Sequence, residues 1–284
     1  MKVSGFSVAR NAIKFGYPAV EAITSILPIC DEFIVNIGDS EDDTLKLIES
    51  IDSPKIKIIQ NIWDPKMRKS GKILAYQTNL ALKECSGDWA FYIQADECVH
   101  EKYLPLIKQN MEKYLNDPEI DGFSFKYVHF YGSYSKIVAP EWDWYKESFR
   151  IIRNNKTMIS DGDATSFRKL RWYNKRVAED VSSASLRQAR LRELVYRLKD
   201  LWSPGIRYIP LSAEVYHYGW VRPPNIMMQK KIEFESFYSP KNPILDKHPM
   251  KEHKFDYGNV ASLPDFKGSH PAVMKKRVED WENA

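Results

Sequence analysis

Three cysteines, at positions 30, 85 and 98, are odd in number and irregularly spaced. Neither a disulfide framework nor a zinc finger can be built from them, and free thiols fit a reducing cytoplasm. No apolar run approaches the roughly 20 residues that a membrane-spanning helix needs. The opening MKVSGFSVARN has one Lys and a short apolar stretch before it turns polar, which reads as no signal peptide. Internal repeats, low-complexity tracts, a G-x-S-x-G elbow, a Walker A loop and Cys/His pairs at ligand spacing are also missing. A net charge of +4 is too weak to imply a nucleic-acid partner. What is there is a globular composition of 284 residues, 43% hydrophobic and 28% charged, long enough to bury a large core. Aromatic residues make up 13% of it, which suits a packed core first and sugar or base stacking second.

The first half alternates strand and helix signals. Strands are expected over 2–7, 32–37, 55–60 and 89–94, with helices over 17–27 (closed by Pro28), 42–51 and 73–84. Strands separated by helices argue for a mostly parallel sheet with right-handed crossovers, whose ligands sit beyond the carboxyl ends of the strands. Polar clusters fall at three such ends: Ala9-Arg10-Asn11, Gly38 to Asp43, and Asp96-Glu97. The second half is different, with aromatic strands over 122–134 and 148–153 and a basic region over 168–207. A long helix is expected there over 177–202, whose basic face reads as a solvated surface or as a contact for anionic lipid or a phosphorylated glycan. The chain divides into a 1–120 α/β half, a 121–239 half carrying the basic insertion, and a 240–284 tail wrapping the surface.

Four stretches carry chemistry. Asp96-Glu97 at a strand end can hold a hard divalent cation that in turn holds phosphate oxygens, or can simply cap the next helix. Cys98 and His100 behind the pair are expected to be helix residues. GDSEDDT (38–44) offers acids to a base or ribose, or caps its own helix through Ser40 and Asp43. RKSGK (68–72) sets basic residues and a Gly before a helix, an anion cradle or a mobile loop. In EVYHYGWVRPPNIMMQKK (214–231), His217 lies in an aromatic strand and Lys230 and Lys231 on the following helix.

The order of these pieces resembles the family 2 glycosyltransferases of GT-A fold, of the bacterial cell-envelope polysaccharide and lipopolysaccharide type. It runs from a strand with Arg10-Asn11, through strand–GDSEDDT–helix and a Gly71-Lys72…Gln77-x-Asn79 helix, to GDWAFYIQADE. The resemblance is firm over 2–99 and looser through ESFRIIRNN and EVYHYGWVR. It implies an α/β, GT-A (Rossmann-like), mostly parallel sheet with helices on both faces and a C-terminal helical and aromatic extension. It also implies an inverting, metal-assisted transfer of a hexosyl group from a nucleotide-diphosphate sugar to a glycan or lipid-linked acceptor. Asp96, His217 and Glu97 would hold Mn²⁺ or Mg²⁺. Ala9, Arg10, Asn11, Gly38, Asp39, Asp42, Lys72, Asn79, Gln94, Ala95 and Lys230 would face the nucleotide-sugar, near Ser40 and Thr44. Asp163, or Asp161, would be the general base, with Glu141 and Asp143 as alternatives and Trp142 or Trp144 stacking an acceptor sugar. Two departures stand out: Gln94 replaces the first Asp of D-x-D, and Ile37 replaces a base-contacting Asp, with Asp39 two residues away. A non-catalytic nucleotide- or sugar-binding protein of this fold and a metal-dependent hydrolase are the alternatives. The expected location is the cytoplasm, including the inner face of the membrane, and oligomeric state is open.

Overall fold

The computed structural model describes residues 1–67, 71–170, 205–238 and 254–283. Four strands, β1 (Val3–Ala9), β2 (Glu32–Gly38), β3 (Ile56–Asn61) and β4 (Trp89–Tyr92), lie in the order β3-β2-β1-β4, all parallel. Every residue of β2 is buried, because a parallel sheet is covered on both faces. The pleat divides that burial. Phe33, Val35 and Ile37 of β2 pack with Ala22, Ile23 and Ile26 of helix α1 (Ala19–Ile26) and Ile48 of α2 (Thr44–Glu49). Ile34 faces the other way, toward Ala81 and Leu82 of α3 (Lys72–Lys83). The alternation continues in β4, where Trp89 and Phe91 join the first face and Ala90 and Tyr92 the second. Helix α4 (Leu104–Lys113) covers the first face through Leu104, Ile107 and Met111, with Pro105 in its first turn.

Beyond β4 the sheet continues through β5 (Glu97–Val99), β6 (Gly122–Tyr131), β7 (Glu147–Arg153) and β10 (Tyr208–Trp220). Strands β8 (Met158–Asp161) and β9 (Ser166–Lys169) form a separate hairpin. The large sheet reads β3-β2-β1-β4-β7-β6-β10-β5, and all its strands except β7 and β5 run one way. The expected α/β class, a mostly parallel sheet with helices on both faces, is what forms.

One local expectation is corrected. Residues 97–99 are strand, not helix: Glu97, Cys98 and Val99 pair with His217, Tyr216 and Val215 of β10 and are buried. His100 then caps a short turn by accepting from the Lys102 N–H. β10 shifts register between His217 and Trp220, an irregularity that bends the strand next to Asp96. After β10 come α5 (Pro224–Ser236) and α6 (Lys275–Glu282). The 254–283 stretch packs back on the sheet through Phe266 against Phe130 and Trp281 against Tyr134, and Arg277 pairs with Glu21 of α1. The helix expected over 177–202 lies outside the described residues. No helix among the described residues is long and apolar enough to cross a membrane.

Candidate functional site

The carboxyl ends of β1 and β2 are sewn together by backbone need. Asn11 turns the chain with a left-handed φ of 52°, which Asn tolerates better than most residues. The N–H groups exposed by that turn then need acceptors. Asn11 N–H donates to Ser40 Oγ, Ala12 N–H to Thr44 Oγ1 at 2.7 Å, and Lys14 N–H to Asp42 Oδ2 at 2.7 Å. Asn11 Oδ1 in return accepts from Glu41 N–H, and Asp42 Oδ1 from Thr44 N–H at 3.0 Å. Ser40, Asp42, Thr44 and the Asn11 side-chain carbonyl oxygen thus hold the two loops together, while Asn11 Nδ2 is buried without a partner. Ala9 is buried at the end of β1.

Arg10, Gly38 and Asp39 do converge, around Trp63, a residue without any motif or periodicity to single it out. The Arg10 guanidinium lies 5.6 Å from the Trp63 ring centre and pairs with Asp39 at 3.4 Å and Glu233 of α5 at 2.5 Å. A Cβ at position 38 would sit 2.4 Å from Trp63 Nε1, so only Gly lets the indole approach β2.

Asp96 lies just past β4 among cationic groups. Its Oδ2 is 3.1 Å from Lys230 Nζ, 3.9 Å from His217 Nε2 and 4.0 Å from Arg222 Nη2. Burial alone would raise the Asp96 carboxyl, but the Lys230 ammonium and the Arg222 guanidinium outweigh it and hold it well below the usual carboxylate range. Burial pushes His217 down to about 3, against the pull of Asp96. Burial and then Arg222 lower Lys230 to about 8. Lys230 Nζ also donates to the Gly219 carbonyl at 2.7 Å. Arg222, missed in the sequence although it stands in GWVRPP, donates to the carbonyls of Phe15, Tyr218 and Gly219. Its Nη2 has no hydrogen-bond partner, although the side chain is 1% exposed. Both cations lie over the Tyr17 ring, at 4.7 Å and 5.1 Å.

Glu97, expected to join Asp96 on a metal, points into the layer beneath, and that expectation is corrected. Arg150 grips it with two bonds, Nη2 to Oε1 at 2.7 Å and Nε to Oε2 at 2.8 Å, both side chains being fully buried. Tyr127 Oη donates to Oε1 and Gln94 N–H to Oε2, so no oxygen is left for an ion. Asp96 sits in the turn before β5, whereas Glu97 is fixed in β5 opposite His217, so the two carboxylates part.

The β8–β9 hairpin closes another wall. Gln94 Nε2 donates to the Ala164 carbonyl at 3.2 Å, and Ala164 is buried with φ 64°. A non-Gly residue in that conformation is unusual and clusters at functional sites. Asp163 accepts from Thr165 Oγ1 at 2.7 Å and Tyr238 Oη at 2.8 Å, and a Cβ at Gly71 would touch its own Cβ at 2.8 Å. Asp161 is instead exposed and 3.4 Å from Arg168 across the hairpin, away from Asp163's partners. The Asn79 amide clasps the Ser160 backbone on both sides, at 2.7 Å and 2.9 Å, and so anchors the hairpin to α3. Lys72 is exposed at the start of α3, and Ala95 is half-buried beside Asp96.

A divalent cation is implied by the resemblance, and the donors present fit one. Asp96 Oδ2 and His217 Nε2 face each other over Gly219, where a Cβ would lie 3.0 Å and 2.4 Å from them. That cradle exists because residue 219 has no side chain. One carboxylate and one imidazole suit Mn²⁺ better than Mg²⁺. No third His, Cys, Asp or Glu joins them among the described residues, so water or ligand phosphates would complete the shell.

No protein-family model matches the chain, and no curated protein matches it. Among solved structures, the 1–349 fragment of TarS from S. aureus is similar with a TM-score of 0.41 and 14% identity, over 82% of this chain and 64% of that one. The chain thus spans less than two thirds of that fragment. The same fragment in complex with UDP gives 0.42 at the same identity and coverage. Glucosyl-3-phosphoglycerate synthase from Mycobacterium tuberculosis, with Mn²⁺, UDP-glucose and glycerol 3-phosphate, gives 0.30 at 20% identity, over 45% of this chain and 44% of that one. The 4-diphosphocytidyl-2C-methyl-D-erythritol synthase of Anaerococcus prevotii gives 0.37 at 10% identity, over 83% and 94%. On its own strand order the chain is an α/β protein with a mostly parallel sheet, whose ligand edge lies at the carboxyl end of β4.

Proposed function

We propose that the chain is an inverting glycosyltransferase, moving a sugar from a nucleotide-diphosphate donor to a hydroxyl of a glycan or lipid-linked acceptor. The observation that carries this reading is the buried cationic cluster at the carboxyl end of β4. It holds one carboxylate, Asp96, against Lys230 and an Arg222 Nη2 that no protein group satisfies. Such an edge takes anions, and a diphosphate would supply the missing acceptor. As the bond to the anomeric carbon breaks, negative charge builds on the departing diphosphate. Lys230 Nζ and Arg222 Nη2 donate to its oxygens, fixed in place by the carbonyls of Gly219, Tyr218 and Phe15. Asp96 and His217 would hold Mn²⁺ or Mg²⁺, which supplies Lewis-acid charge neutralisation when bound. Gln94, locked to Ala164, faces the sugar side. Asp163 takes the acceptor hydroxyl's proton onto its carboxylate, held for that by Tyr238 and Thr165. Trp142 or Trp144 would be the ring that stacks an acceptor sugar. The reading places the enzyme in the cytoplasm.

The test is a thermal-shift and calorimetry panel of UDP, GDP and their sugars, with and without Mn²⁺, followed by product analysis. Stabilisation by a nucleoside diphosphate that weakens in Arg222→Lys supports the donor site. If none stabilises the protein in any metal condition, the donor reading is abandoned. Sugar release to water as fast as transfer would identify a hydrolase, and binding without turnover a binding protein.

A further inference from the structure

His217 and its neighbour on β6 form a pair whose protons can be counted. His129 Nδ1 lies 3.0 Å from His217 Nδ1, and His129 Nε2 lies 2.7 Å from the Tyr145 carbonyl oxygen. A carbonyl only accepts, so His129 Nε2 carries a proton. In a neutral ring the other nitrogen, Nδ1, is then bare and can only accept. The partner across the 3.0 Å contact must donate, which puts the proton of His217 on Nδ1 and leaves its Nε2 bare. That bare nitrogen is the one facing Asp96 over Gly219. The alternative, a charged His129 with His217 protonated on Nε2, would bury an imidazolium beside the Arg150 guanidinium that already serves Glu97. It would also aim an N–H at Asp96 Oδ2 from 3.9 Å, too far to bond.

We propose that His129 is a positioning residue that sets the tautomer of His217, so that Nε2 meets Asp96 as a bare acceptor. Two acceptors facing each other select a cation, which Lys230 provides and which Mn²⁺ can replace. The Tyr145 carbonyl is the far end of this chain, so the aromatic segment before β7 orients the cation site from behind. Tyr127, Trp144 and Tyr145 pack around the His129 ring and hold its plane. The link to metal rests on the function proposed above, whereas the tautomer does not.

With six histidines in the chain, long-range ¹H–¹⁵N correlation spectra of the ¹⁵N-labelled, nucleotide-free protein at neutral pH resolve each tautomer. The expected result is His217 protonated on Nδ1 and His129 on Nε2. A proton on His217 Nε2, or a charged His129, overturns the proposal. In His129→Phe, His217 should revert to the Nε2-protonated form, and Mn²⁺ affinity by titration calorimetry should fall about 10–100-fold. His129→Gln, whose amide oxygen accepts, should restore part of both. An unchanged tautomer in folded His129→Phe also overturns it; if that variant does not fold, the wild-type spectrum decides. Wild-type protein that shows the expected tautomers but binds no Mn²⁺ supports the positioning role and removes the metal from the function.

Discussion

Asp96 and Glu97 are adjacent carboxylates with opposite surroundings. Above the strand end, Asp96 bonds Lys230 at 3.1 Å, but His217 and Arg222 stand 3.9 Å and 4.0 Å away, and Arg222 Nη2 is left without a partner. Below it, Glu97 is saturated by Arg150, Tyr127 and the Gln94 backbone. The lower layer has nothing left to offer a ligand; the upper one is built to be completed. A buried ion pair with every lone pair used is a scaffold, while one with an orphan donor is a site.

Breaking the lower pair is expected to have the largest effect on the fold. Glu97→Gln leaves the Arg150 guanidinium buried without a counter-charge, at a cost of about 3–5 kcal/mol, read as a lower urea midpoint at unchanged slope. Asp96→Asn should cost less stability, because Lys230 is the last group of a flexible side chain on α5 and can swing toward water. It should instead abolish the chemistry, lowering transfer on the order of 100-fold or more with the donor's nucleotide bound more weakly. Equal loss of stability in the two variants would erase the distinction between the layers.

The strands and helices of the first half were legible because their apolar periods are clean: EFIVNI and WAFY each bury both faces, and the helices between them bury one. The position of Asp96 at a ligand edge was legible from strand order alone. Its neighbours were less legible wherever a short polar residue also has a local backbone job. Asp42, Asn79 and Asn11 look like ligand contacts by type, yet each answers an N–H or C=O that a turn or hairpin exposes, a demand set by tertiary geometry. Glu97 was not legible because the three residues of β5 do not announce a strand, and strand pairing with β10 decided which way it points. His129 carried a weak signal that was passed over: Tyr127, His129 and Tyr131 alternate along β6 and so share one face, and in the parallel pairing His129 sits opposite His217. Arg222 and Trp63 had no periodic signal, since each gains its role from elements distant in sequence.

The smallest effect, and the one that separates the layers by charge, is a pH dependence in the crevice. Lys230 is lowered to about 8 by burial and Arg222, against an ordinary value of 10.5, with Asp96 the one opposing charge. Anion binding needs the ammonium, so affinity for a nucleoside diphosphate should fall as pH rises through about 8, by at most tenfold per unit. Stability should move the other way. Between about 8 and 10.5 the unfolded chain binds the proton that folded Lys230 has released, so this group's contribution to stability rises with pH across that window and is lost again as pH falls through about 8. Lys230→Arg keeps its charge throughout and should lose both trends, while Glu97 and Arg150, unchanged in the variant, hold the fold. Calorimetric titrations and urea midpoints for the two proteins from pH 7 to 10 give the comparison. Parallel pH profiles in wild type and Lys230→Arg would mean that Lys230 does not carry the crevice's charge, and the role given to it in binding the diphosphate would have to pass to Arg222.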